Sequence, residues 1–136
     1  MLGGLNMPRL APWLHRAALA ALCAAYLQGG LVKALDFPGA LAEMAHFGLQ
    51  PAAPFALATI ALELGASVLV ISGRWRWLGA LALAAFTAAA TLMANRYWAA
   101  AGPERFQLMN AFYEHIGLVG GLLLVAGQDL NARRHA

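Results

Sequence analysis

The chain has 136 residues, of which 62% are hydrophobic and only 11% are charged, and its formal net charge is +3. A soluble domain is nearer half apolar and a quarter charged, so this composition argues against a soluble helical bundle. The basic residues are scattered singly or in pairs between apolar runs and form no basic stripe. We therefore expect no nucleic-acid partner and predict one domain embedded in a lipid bilayer.

Four apolar segments follow one another along the chain. Each has about the 20 residues that an α-helix needs to cross roughly 30 Å of hydrocarbon. All are rich in Ala and Leu and lack the alternation of a β-barrel strand. The sequence thus predicts an all-α fold, an integral membrane four-helix bundle. The predicted spans are about residues 13–35, 54–72, 77–98 and 108–128.

The three connections between these spans differ in length. The first contains a predicted short helix at 38–48, with Pro38 near its start and Gly48 as its stop. Its mixture of apolar and polar side chains is typical of an interfacial or re-entrant helix. Residues 73–76 predict a tight turn, and a short loop at about 102–105 joins the last two spans.

Orientation follows from the distribution of basic residues. Three lie on one predicted side, namely Lys33, Arg96 and Arg105. Six lie on the side of the termini and the tight turn, namely Arg9, Arg16, Arg74, Arg76, Arg133 and Arg134. Because cytoplasmic loops carry the excess of Lys and Arg, both termini are predicted to be cytoplasmic.

Glu63 is the most informative polar residue inside a span. A charged group in the bilayer is costly unless it is paired, so Glu63 is a candidate functional residue. A nearby Lys33 or Arg96 would keep it ionised, whereas an unpaired Glu63 would be protonated and could relay protons. The residue spacing leaves both alternatives open.

Polar or small residues recur at helical spacing on three spans, and we expect these stripes to face one another inside the bundle. They consist of Thr59, Glu63 and Ser67, of Thr87, Thr91 and Asn95, and of Asn110, Glu114, Gly117 and Gly121. We expect the two glycines to serve packing within the bundle rather than dimerisation. Most of these polar residues lie in the outer halves of the spans. The pattern therefore predicts either a polar pocket open to the non-cytoplasmic side and floored near Glu63, or a purely structural polar network.

The candidate residues for ligand binding or proton handling are Glu63, Glu114, Lys33, Asn110, Asn95, Arg96, His115 and Thr91. No catalytic residue is assigned. Glu43 and His46 form one E-x-x-H half-site, but a di-iron bundle needs two, so we expect no metal. The single cysteine, Cys23, allows no intrachain disulfide and argues against autonomous dithiol chemistry.

Short motifs give the chain a family resemblance. They are GGLVK at 29–33, ELG at 63–65, ISGR at 71–74 and GGLLL at 120–124. In these the chain resembles the DoxX family of small four-helix bacterial membrane proteins, over about residues 14–127. The resemblance implies a bundle in the bacterial inner membrane, linked to quinone-dependent thiosulfate oxidation or to membrane oxidoreductase complexes. It also implies Lys33, Glu63 and the Asn110/Glu114 pair as the family-like polar set.

The polar residues and the family resemblance suggest three possible functions. The first is an accessory or quinone-linked subunit of a membrane redox system, in which Glu63 and Glu114 handle protons. Lys33, Asn95 and Arg96 would then bind an anionic or carbonyl headgroup. The second is a non-enzymatic anchor or assembly subunit that docks a protein partner through residues 38–48. The third is a small-molecule carrier, which the scarcity of polar residues in the inner half disfavours. A homo-oligomer is left open.

Overall fold

The computed structural model describes residues 9–135. In that part of the chain five α-helices and one 3-10 turn occur, and no strand. The helices are α1 (Pro12–Leu35), α2 (Phe37–His46), α3 (Ala52–Ser72), α4 (Arg76–Ala94) and α5 (Gly102–Arg134), and the 3-10 turn is Tyr97–Ala99. By length and composition α1, α3, α4 with the 3-10 turn, and α5 are able to cross a membrane. The predicted all-α membrane bundle is confirmed.

The helices pack in the order α1, α3, α4, α5. Helix α3 lies between α1 and α4, α5 packs mainly on α4, and α2 rests on α3 and α1. Helices α1 and α5 meet over a short stretch only, where Leu22 lies against Gly121. The bundle is therefore closely packed along three of its seams and loosely packed along the fourth.

Helix α5 is longer than the predicted span, and the predicted loop at 102–105 is wrong because α5 already begins at Gly102. Pro103 and Glu104 suit the first helical turn, since proline needs no N–H partner there and a carboxylate faces the positive end of the helix dipole. Arg133 and Arg134 are likewise favourable in the last turn. Hydropathy marks only the apolar middle of such a helix, so its polar ends escape prediction.

Helix α2 begins one residue earlier than predicted and ends at His46 rather than at 48. The Asp36 carboxylate caps it by accepting a hydrogen bond from the Gly39 N–H at 3.1 Å. Gly48, with a φ of 74°, then turns the chain in a conformation that favours glycine. Ala40 and Met44 pack against Ala56 of α3, and this contact fixes α2 across one end of the bundle.

The turn of residues 73–75 makes α3 and α4 an antiparallel hairpin. Gly73 ends α3 at a φ of 87°, and the Arg76 Nε donates a hydrogen bond to the Val70 carbonyl at 2.7 Å. Gly79 lies so close to α3 that a Cβ there would be 2.7 Å from the Ala66 carbonyl oxygen. The two helices are therefore in close contact near the turn.

The apolar core occupies the half of the bundle near this turn. Its buried members include Leu19, Cys23, Ala66, Val70, Leu83, Leu122 and Ala126. Ser67 lies among them and donates its hydroxyl to the Glu63 carbonyl at 2.6 Å, one turn back in its own helix. Close apolar packing fills this half, so the polar groups that remain are gathered toward α2.

Candidate functional site

An ion pair lies at the centre of the polar region. The Lys33 Nζ, in the last turn of α1, is 2.9 Å from the Glu63 Oε1 in the middle of α3. The two side chains are only 15% and 6% exposed. The sequence suggested Lys33 and Arg96 as possible partners for Glu63. The fold places Lys33 next to Glu63, whereas Arg96 is exposed and makes no ion pair with it.

Gly29 gives this ion pair its space. A Cβ on Gly29 would lie 2.7 Å from the Glu63 Oε2 and 3.5 Å from the Lys33 Nζ. A Cβ there would press on the Glu63 carboxylate, while its distance from the Lys33 ammonium is an ordinary van der Waals contact. The first glycine of the GGLVK motif, one turn before Lys33, therefore lets the Glu63 carboxylate approach α1.

A cavity of about 300 Å³ opens beside the ion pair, at the α2 end of the bundle. All five helices or the residues adjoining them contribute to its wall. The polar lining residues are Tyr26, Lys33, Glu43, Glu63, Thr87, Asn95 and His115. We call this space the polar chamber.

A second space of about 270 Å³ adjoins the polar chamber, and we call it the apolar chamber. The two share Lys33, Glu43, Phe86, Ala90 and Ala94 as lining residues. The rest of its wall comes from Met44, Phe47, Leu49, Phe55, Thr59, Ala89 and Met93. A hydrogen-bonding region is therefore placed directly next to a wall of aromatic and thioether side chains.

Hydroxyl groups around the polar chamber are mostly engaged within the protein. The Tyr26 hydroxyl is hydrogen-bonded to the Thr87 hydroxyl, which donates to the Leu83 carbonyl at 2.6 Å. The Thr91 hydroxyl accepts from the Asn95 Nδ2 at 2.9 Å, and Thr91 itself does not line either chamber. Thr91 therefore positions Asn95, while Asn95 borders the chamber.

His115 is half-buried and brings α5 to the polar chamber. Its Nδ1 is hydrogen-bonded to the Ala111 carbonyl oxygen, and the Asn95 Nδ2 lies 3.4 Å from the same ring nitrogen. Because a carbonyl can only accept, this contact assigns the donated proton to Nδ1, and in the corresponding neutral tautomer Nε2 is an acceptor. The ring thus adds an acceptor to the lysine and amide donors.

Helix α5 does not turn its polar stripe toward the inside of the bundle, as the sequence predicted. Asn110, Glu114 and Gly117 are exposed and line neither chamber, so the expected inward orientation of this stripe is wrong. The helix packs instead through the neighbouring face that carries His115 and Leu122. Of the two glycines assigned to packing within the bundle, Gly121 faces Leu22 of α1, while Gly117 has nothing within 4 Å.

Three polar lining residues of the polar chamber, Tyr26, Glu43 and Thr87, were not among the site residues predicted from the sequence, although Thr87 was placed in a polar stripe. Glu43 was considered only as half of a metal motif, and α2 only as a docking surface. The signal that could have identified Glu43 is its position on α2. It lies three residues after Ala40 and next to Met44, and these two residues pack the helix against α3. In the part of the chain that the structure describes, no group of three His, Cys, Asp or Glu residues could hold a metal ion.

These features define a multi-pass membrane protein whose helices enclose a polar chamber at one end of the bundle. The DoxX family model matches residues 14–96, more than half of the chain, and the chain belongs to the DoxX family. The match covers α1 to α4, with Lys33, Glu63 and Asn95, and stops before α5. No curated protein and no solved structure matches the chain.

Proposed function

We propose that the chain is an accessory or quinone-linked subunit of a membrane redox system, and that its two chambers bind a membrane-dissolved amphiphile such as an isoprenoid quinone. One observation carries the proposal: a chamber with a buried ion pair adjoins a chamber lined by Phe and Met side chains. An amphiphile has the same two parts, a hydrogen-bonding headgroup and an apolar chain. Membership of the DoxX family supports the membrane setting.

The chemistry of the lining suits a headgroup that carries carbonyl or hydroxyl groups. Lys33 donates to Glu63, and its ammonium has further N–H groups to offer. Asn95 can donate or accept, and His115 can accept through Nε2. Volumes of about 300 and 270 Å³ suit one ring and the beginning of a chain.

The apolar chamber gives the chain of such a ligand a path to the lipid. Two of its lining residues, Phe55 and Met93, are 42% and 41% exposed on the outside of the bundle. A long isoprenoid tail would therefore pass between α3 and α4 into the bilayer. We further propose that the membrane is the bacterial inner membrane and that the polar chamber faces its non-cytoplasmic side.

Direct binding tests this proposal. Protein extracted gently from its membrane is analysed by mass spectrometry for retained quinone, and a short-chain benzoquinone is titrated into protein in nanodiscs. We expect Phe86→Ala and Asn95→Leu each to weaken binding about tenfold, because the first removes a wall shared by both chambers and the second removes a hydrogen-bonding amide from the polar chamber. Leu81→Ala, on the exposed face of α4, is the matched control and should bind like the wild type. The absence of both retained quinone and titrated binding would refute the proposal.

A non-enzymatic anchor or assembly subunit is the second candidate, and one observation favours it. Glu114 lies within the α5 span on the exposed face, where a carboxylate facing lipid is costly. A protein partner that covered this face would relieve that cost. Copurification lost in Glu114→Leu but kept in Glu63→Gln would support the anchor, and the reverse result would speak against it.

A further inference from the structure

Three ionisable residues other than histidine and tyrosine line the polar chamber: Lys33, Glu43 and Glu63. Lys33 and Glu63 neutralise each other at 2.9 Å. Glu43 is exposed and, among the residues that the structure describes, makes no ion pair. These three residues contribute one positive and two negative charges to the lining of the polar chamber, a net charge of −1.

Among the residues that the structure describes, Lys33 is the only lysine or arginine that lines either chamber. Arg96, which the sequence suggested as a ligand for an anionic headgroup, is exposed and lines neither space. Arg105 is also exposed and outside the lining. Glu43 is therefore the uncompensated charge nearest to an entering headgroup, and it should set the sign of the potential that this headgroup meets.

Glu43 is also placed where it acts on any ligand that uses both chambers. It lines the polar and the apolar chamber alike. Its position is held by the next residue, Met44, which is buried with Ala40 against Ala56 of α3. The carboxylate therefore stands at the junction between the site for a headgroup and the site for its chain.

We infer that Glu43 is a specificity-determining residue, which repels anionic headgroups so that the chambers accept uncharged, hydrogen-bonding ones. This inference rests on the proposed function and names the charge class of its ligand. Fatty-acid carboxylates and phosphate headgroups are selected against. Neutral carbonyl or hydroxyl headgroups keep their contacts with Lys33, Asn95 and His115.

The test compares two amphiphiles that share one alkyl chain and differ in headgroup, one a neutral benzoquinone and the other a carboxylate. Both are titrated into the full chain in nanodiscs of zwitterionic lipid. We expect the wild type to prefer the quinone about tenfold, as one uncompensated, solvent-accessible charge at short range implies. Raising the salt concentration should narrow this preference by screening the charge.

Charge variants at residue 43 give the decisive comparison. Glu43→Gln should tighten carboxylate binding and shift the ratio of carboxylate to quinone affinity about tenfold toward the carboxylate, and Glu43→Lys should shift this ratio further. Glu104→Gln is the matched control, because Glu104 is an exposed carboxylate near the same end of the bundle that lines neither chamber. It should change neither affinity.

Two results would overturn the inference and leave the proposed function intact. One is equal binding of both amphiphiles by the wild type. The other is an unchanged carboxylate affinity in both Glu43→Gln and Glu43→Lys. If neither amphiphile binds the wild type, the proposed function fails and the inference fails with it.

Discussion

The Lys33–Glu63 ion pair places two charges inside a membrane bundle, where desolvation works against each of them. Their 2.9 Å contact supplies the attraction and the hydrogen bond that make this tolerable. Such a pair is a weak source of net stability, but it becomes a large liability when one partner is removed. The ion pair also makes the wall of the polar chamber hydrophilic while contributing no net charge of its own, so the net charge of the wall comes from Glu43.

We therefore expect Lys33→Met to lower the free energy of unfolding by about 3 kcal/mol, because it leaves the Glu63 carboxylate buried and unpaired. Lys33→Met combined with Glu63→Met should recover most of that loss. Reversible unfolding in mixed micelles, with an increasing fraction of a denaturing detergent, measures the free energy of unfolding of both variants. A double variant as unstable as the sum of the single variants would contradict this account.

Helix α4 is fixed near its beginning by contacts with two neighbouring helices. On one side Gly79 lets it approach the α3 backbone. On the other, the Asp129 carboxylate of α5 accepts a hydrogen bond from the Trp77 N–H at 2.9 Å. Trp77 lies in the first turn of α4, so Asp129 acts as a cap supplied by a distant part of the chain.

Gly79→Ala should destabilise the protein by about 2 kcal/mol, because its Cβ would meet the Ala66 carbonyl oxygen, a backbone atom that cannot move aside. The matched control is Gly117→Ala on α5, where a Cβ would have nothing within 4 Å. Its effect should stay within about 0.5 kcal/mol. Thermal unfolding of the two variants in one detergent makes the comparison, and equal losses would argue against close α3–α4 packing.

Asp129→Ala should cost about 1 kcal/mol, the usual loss for a helix cap. Arg133 contacts the same carboxylate at 3.1 Å but is itself about half exposed, so Arg133→Ala should cost only about 0.3–0.5 kcal/mol. Denaturation curves for the two variants separate the cap from the ion pair. If Arg133→Ala were the more damaging, the cap would not be the important contact.

At the scale of the whole molecule, we predict that all four candidate spans cross the membrane, so that residues 9 and 135 lie on the same side of it. The turn of residues 73–75 shares that side, and α2 and the 3-10 turn lie opposite with the chambers. The excess of arginine near the termini and the turn predicts that this side is cytoplasmic. The chambers would then open away from the cytoplasm.

Cysteine labelling tests this orientation in a Cys23→Ala background, since Cys23 is the single native cysteine. We expect a membrane-impermeant maleimide to label Ala101→Cys in intact cells, because residue 101 precedes α5 at the α2 end. His135→Cys should react only after the membrane is opened. The opposite labelling pattern would place the chambers on the cytoplasmic side.

The sequence by itself determined the class of fold and the approximate spans, because the length and hydropathy of a segment decide whether it can cross the hydrocarbon core of a bilayer. It also singled out Glu63, since a charge inside an apolar run is conspicuous without any partner. The tight turn after the second span was recognisable as well, because residues 73–76 are a short polar break between two apolar segments. None of these inferences required a knowledge of which helices are neighbours.

Only the tertiary structure decided that Lys33 pairs with Glu63, that Glu43 borders both chambers and that Glu114 faces outward. In water the apolar face of a helix identifies its buried side. In a bilayer the lipid-facing and the protein-facing sides are both apolar, so periodicity reveals a polar stripe without revealing what covers it. That choice depends on how each helix is rotated against its neighbours, and rotation is set by packing contacts such as Leu22 with Gly121, which join residues far apart in the chain.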